Sequence, residues 1–149
     1  MPDQNFIPAL ANEGSVKEFS SRLLELVGVF QAALHNISEA DRAFAGSGYG
    51  VLMEVYGLRT RAYILMNDPE SHIVNSLEFS HDEMLSLFDR VSSVTRAINS
   101  LRTASAMVLS VATFTVSLGE DRAKIVNFLF KMLSDDVAEW ERQFAMAGM

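Results

Sequence analysis

Apolar residues recur at helical spacing along nearly the whole chain. Val16, Phe19, Leu23, Leu26, Phe30, Ala33 and Ile37 step alternately by three and four, which is the heptad seam of a long amphipathic helix. Ser15 and Glu18 stand at capping-box spacing and open it. Ser38 to Asp41 either cap a short second helix or continue the first, and GSGYG at 46–50 ends it. Val51, Val55, Leu58, Ala62 and Leu65 then form the inner stripe of a helix from about Gly50 to Met66. Asp68-Pro69 reads as a cap with proline in the first turn of a short helix that buries Ile73, Val74 and Leu77.

Ser80 and Glu83 repeat the capping-box spacing ahead of the seam Met84, Leu87, Val91, Val94, Ile98, Leu101. Beyond it, residues 103–119 contain no charge, and apolar side chains cover almost the whole circumference. Such a helix belongs at the buried centre of a bundle or in a membrane. Three of its hydroxyls, Thr103, Ser110 and Ser117, lie seven apart and nearly in line, each placed to bond the carbonyl one turn earlier. A single helix from Ser80 to Leu118 would be a rod of about 58 Å, too long for a compact domain with a radius of gyration near 15 Å. A break is therefore expected near Asn99–Thr103, and Gly119 is the expected C-terminal cap. The last helix starts at Glu120-Asp121, where carboxylates face the positive end of the helix dipole. Its expected buried face is Ile125, Phe128, Leu129, Met132, Val137, Trp140 and Phe144, and Ser134-Asp135-Asp136 is a point of interruption.

No strand pattern and no long repeat appear. The expected fold is all-α: an N-terminal arm (1–14), pinned by Phe6, Ile7 and Leu10, and one helical-bundle domain (15–149). Five to seven helices surround the central apolar helix at about 103–118. A chain of 149 residues with 49% apolar and 21% charged residues is globular in composition, and long enough to bury a full core.

Charge narrows the partners. The net charge of −7, with basic residues scattered, argues against nucleic acid and anionic membrane surfaces. The 17 residues of 103–119 include six Ser or Thr and fall short of the ~20 that span a bilayer. No signal peptide is visible at the N-terminus, so the cytoplasm is the default; export by a route without a cleaved signal would leave the same sequence. There is no cysteine, which excludes thiolate metal sites and cysteine nucleophiles.

Candidate chemistry is sparse. Glu78 and His81 form an E-x-x-H, the spacing used in di-iron bundles, but no second copy accompanies it. His35, pairing with Glu39 at i, i+4, and His72 complete a low-ranking metal set with His81. GSGYG lacks the strand before it and the Lys-Ser/Thr pair of a phosphate loop, which leaves a flexible turn or a close helix contact through Gly46 and Gly50. No G-x-S-x-G and no carboxylate pair in an apolar surround points to catalysis. Eight methionines suggest adaptable apolar surface; Met53, Met66, Met107, Phe114 and Met132 would line an apolar ligand pocket if they converge.

More apolar seam is present than a small bundle needs. Phe19, Leu23, Leu26 and Phe30 on the first helix and Trp140 and Phe144 on the last are the expected interface residues. The leading functional expectation is a non-catalytic helical interaction module of adaptor, chaperone-like or inhibitor type, docking a protein partner or itself as a homodimer, with no cofactor. Behind it stand a sensor or carrier for an apolar small molecule, a metal-dependent bundle, and a secretion-linked or membrane-inserting protein.

Overall fold

The computed structural model describes residues 6–40, 47–118 and 122–147. Among these it is all-α, with five helices: α1 (Glu13–Ala40), α2 (Tyr49–Asn67), α3 (His81–Thr95), α4 (Leu101–Ser117) and α5 (Ala123–Ala147). One 3-10 turn, Pro69–His72, follows α2. The helix expected between 38 and 45, the Gly119 cap and the Glu120-Asp121 start lie wholly or partly outside the described residues.

The seams read from the sequence face inward. Every residue of the α1 seam is buried, as are the α2 stripe and the 84–101 seam. The buried side chains form one continuous cluster. Helix α4 touches each of the other four helices and packs most closely on α2 and α5, so the charge-poor segment is the centre of the bundle. Phe114 on α4 meets Phe79, Phe88 and Phe130 at ring-centroid distances of 6.2, 6.0 and 5.9 Å.

Several local details differ from expectation. Helix α1 begins at Glu13, and its cap is Asn12: the Ser15 amide donates to Asn12 Oδ1 at 2.8 Å. Glu18, freed from the capping role assigned to it, reaches α3 instead. The Ser80 capping box does form, with both reciprocal bonds present; a cap of this kind stabilises by about 1 kcal/mol. The rod breaks at 96–100, where the Ser100 hydroxyl accepts from the Thr103 amide at 3.2 Å and starts α4 anew. Of the three in-line hydroxyls on α4, Ser117 bonds back to the Phe114 carbonyl, whereas Ser110 donates across to Asp136.

Residues 73–80 are not a helix. Their amides and carbonyls pair with the N-terminal arm: Val74 N–H donates to the Leu10 carbonyl, Ala9 N–H to Phe79, and His81 N–H to Ile7. Ile73 is half-buried, while Val74 and Leu77 are buried beneath this strap. The backbone turns sharply at Leu10 and Ser76, with φ of 57° and 70°. Ser134-Asp135-Asp136 does not interrupt α5, which runs unbroken for 25 residues.

Arg90 of α3 forks onto both carboxylate oxygens of Glu141 on α5. That hydrogen bonding holds the Glu141 carboxyl below its ordinary value. A depressed carboxylate contributes stability that is present above the unfolded value near 4.5 and lost as pH falls through the folded one. Both side chains are partly solvated, so the pair contributes at most about 1 kcal/mol. Glu141→Gln is accordingly expected to lower the unfolding free energy slightly at neutral pH and to leave it unchanged in acid. Urea titrations at the two pH values check this; an equal loss at both would assign the effect to packing.

Candidate functional site

Apolar surface is left uncovered on α2, α4 and α5 and at the arm, where Phe6 and Ile7, expected to pin it, are 43% and 53% exposed and only Leu10 is buried. On α4 the positions Arg102, Leu109 and Val116 are seven apart and point outward in one line, with Leu109 51% and Val116 55% exposed. On α5 the outward residues are Ile125, Phe128 and Met132, with Phe128 61% exposed. These three were expected in the core. Helix α5 carries two apolar arcs, and Val126, Leu133, Val137 and Trp140 are the ones buried. Once that arc is buried, Ile125, Phe128 and Met132 are left on the flank that faces outward beside α4.

Leu109 forms a ridge between two hollows. The larger, of about 600 Å³, runs between α2 and α4; Gly50, Val51 and Glu54 form one wall, and Leu101, Arg102, Ser105 and Val108 the other. The smaller, of about 170 Å³, lies between α4 and α5 and includes Thr113, Leu129, Met132 and Asp136. Nothing approaches within 4 Å of where a side chain on Gly50 or Gly57 would begin. Gly50 is therefore not a point of close helix contact, and Gly46, its expected companion, lies outside the described residues.

Ion pairs elsewhere join Lys17 with Glu13, Arg22 with Asp89, Arg90 with Glu141 and Arg142 with Glu139. Glu54 and Arg102 line the same groove from opposite walls, and among the described residues neither forms an ion pair. Arg102 is the sole charge on α4.

The metal candidates do not come together. His35 pairs only with Glu39, both well exposed on α1. The His72 ring sits on the Asp68 carbonyl at 2.8 Å. His81, buried at the start of α3, meets Glu18 of α1 at 2.6 Å through Nε2, and its Nδ1 has no partner among the described residues. Glu78 is exposed and contributes its backbone amide to Asn127. Among the described residues no three His, Asp or Glu groups are placed to share a metal ion. The E-x-x-H geometry fails because Ser80 ends an extended strap and His81 begins a helix, so the two side chains share no helical face.

The expected pocket residues are dispersed too. Met107 and Phe114 are fully buried in a filled core, Met66 is half-buried, and Met53 and Met132 are exposed. Phe114 and Met132 line a common hollow, the small one. The expected interface residues Phe19, Leu23, Leu26 and Phe30 are buried in the core, Phe19 edge-on to Phe88 at 5.1 Å. Trp140 is buried as well, and Phe144 packs half-buried against the same cluster. The bundle consumes these seams itself, because α2 and α3 dock on α1. The face that remains was not singled out from the sequence; its signal was the second apolar arc on α5 and the Leu109–Val116 line.

No protein-family model, curated protein or solved structure matches this chain. No helix among the described residues is long and apolar enough to cross a membrane.

Proposed function

We infer that this protein is a non-catalytic helical interaction module that docks a protein through its α2–α4–α5 face. The observation that carries the reading is the set of large apolar side chains left exposed on α2, α4 and α5 of a bundle whose core is otherwise complete. Exposed apolar surface marks interaction sites in soluble proteins when it is contiguous. The mixed character of the face, apolar at Leu109, Val116 and Phe128 with charges at Glu54 and Arg102, matches a docking patch with a polar rim.

A second reading has one observation behind it. The α2–α4 groove, at about 600 Å³, falls in the range of small-molecule sites, which favours an apolar ligand there.

Methionine oxidation tests the first reading. Met53 and Met132 are exposed in the free chain, while Met84 and Met107 are buried. In the soluble fraction of cells, Met132 is expected to be protected from peroxide relative to the purified, dilute protein, with Met84 and Met107 slow in both. Equal oxidation of Met132 in both settings would mean the face is free, and the module reading would fall.

A further inference from the structure

We propose that the arm, residues 6–12, is a displaceable latch. It lifts from the strap while the bundle stays folded, and the strap edge it vacates accepts an extended segment of another chain in its place. The inference is independent of the α2–α4–α5 face.

The arm is seated as a short strand would be. Pro8 and Ser80 form an antiparallel bridge. Its bonds run from the Ala9 amide to the Phe79 carbonyl and from the His81 amide to the Ile7 carbonyl, so none asks for an N–H at Pro8. A third bond joins the Val74 amide to the Leu10 carbonyl. Main-chain bonds to a strand edge give affinity without regard to side chains, and the buried side chains give specificity. Here those are Ala9 and Leu10, at 0% and 2% exposure, whereas Phe6 and Ile7 stay largely outside. The edge thus specifies an extended apolar stretch with a leucine placed to enter the core.

Three unfavourable features gather at this junction. Leu10 and Ser76 hold φ of 57° and 70°, in the left-handed region that disfavours residues other than glycine. His81 meets Glu18 through Nε2, while its Nδ1 is buried with no hydrogen-bond partner, which destabilises the closed form. Strained backbone collects where a protein changes state. Among the described residues no other non-glycine residue has positive φ and no other buried side-chain polar atom is orphaned. All three lie where arm, strap and the start of α3 meet. Asn12, whose Oδ1 accepts from the Ser15 amide at the start of α1, is the hinge.

The chain has no cysteine, so a single introduced thiol reports its own exposure. Ala9→Cys and Ala62→Cys change the same residue type at two sites of 0% exposure, one in the arm and one in the middle of α2. In the full chain without denaturant, a thiol reagent is expected to label Ala9→Cys about a hundredfold faster, because the arm opens locally whereas α2 opens with the whole bundle. A synthetic peptide with the sequence of residues 6–12, at millimolar concentration, should raise the Ala9→Cys rate about threefold or more by holding the edge against the returning arm. A peptide of the same composition in scrambled order should not, and Ala62→Cys should respond to neither. Hydrogen exchange on the unsubstituted chain guards against an arm displaced by the thiol itself: the amides of Ala9, Val74 and His81 should exchange together and ahead of α2.

Equal labelling of the two variants overturns the proposal, as does exchange of those three amides only in step with α2. Fast labelling of Ala9→Cys that the peptide leaves unchanged, or that the scrambled peptide raises equally, means that the edge accepts no second strand, and the proposal falls.

Discussion

Replacing Phe114 by alanine is expected to cost about 3–5 kcal/mol of unfolding free energy, the range for an aromatic side chain lost from a closed core. Phe114 is fully buried on α4 and touches Phe88 of α3, Phe130 of α5 and Phe79 of the strap. Its removal opens a void where three elements meet, and no single one of them can move in without leaving the others. Phe79 and Phe130, stacked at 3.7 Å, would lose the ring that both lean on. Leu109→Ala on the same helix is the control. Leu109 faces outward, and a surface change away from special features stays within about 0.5 kcal/mol. Urea unfolding monitored by circular dichroism reads both, under conditions that hold the chain monomeric. Similar losses for the two variants would contradict the orientation of α4.

Leu10→Ala is the second change with a large expected effect, about 2–5 kcal/mol. The residue sits in an arm, yet it is 2% exposed and belongs to the core cluster. Its backbone has φ of 57°, a conformation that costs a non-glycine residue about 1 kcal/mol. Burial of the leucine side chain, about 1.5–3 kcal/mol, holds it there. The alanine variant keeps the unfavourable dihedral and loses the compensation. The arm should then open before the bundle unfolds. Hydrogen exchange would show it: the amides of Ala9, Val74 and His81, which bridge arm and strap, should lose protection while those of α4 stay protected. If those three amides exchange only with global unfolding, the arm is an inseparable part of the core.

Much of the architecture is legible in the chain, for a specific reason. The seams of α1, α2 and α3 alternate by three and four, so periodicity identifies both the helix and its buried side. The Ser80 box is a local hydrogen-bond device that acts within four residues and is readable for that reason; the break near 99–103 was expected, but the Ser100 cap that restarts the helix was not. Periodicity fails where a helix has two apolar arcs. Ile125, Phe128 and Met132 obey helical spacing as well as Val126, Leu133 and Val137 do, and nothing local ranks one set above the other. Asn12 and Ser15 are both good caps, and the choice between them follows from where the arm pairs with the strap.

The sequence by itself determined the all-α class, the central place of the uncharged 103–118 segment, and the inward seams. Each of these follows from apolar spacing and the cost of leaving such surface in water. Tertiary structure alone decided which apolar surface is spent in the core and which remains. The α1 seam and Trp140 are consumed by the chain's own helices, while Leu109, Val116 and Phe128 are left outside. It also decided that Glu54 and Arg102, 48 positions apart in the chain, share one groove. A residue's local pattern reports how much surface it can bury, but which neighbour buries it depends on how distant helices pack.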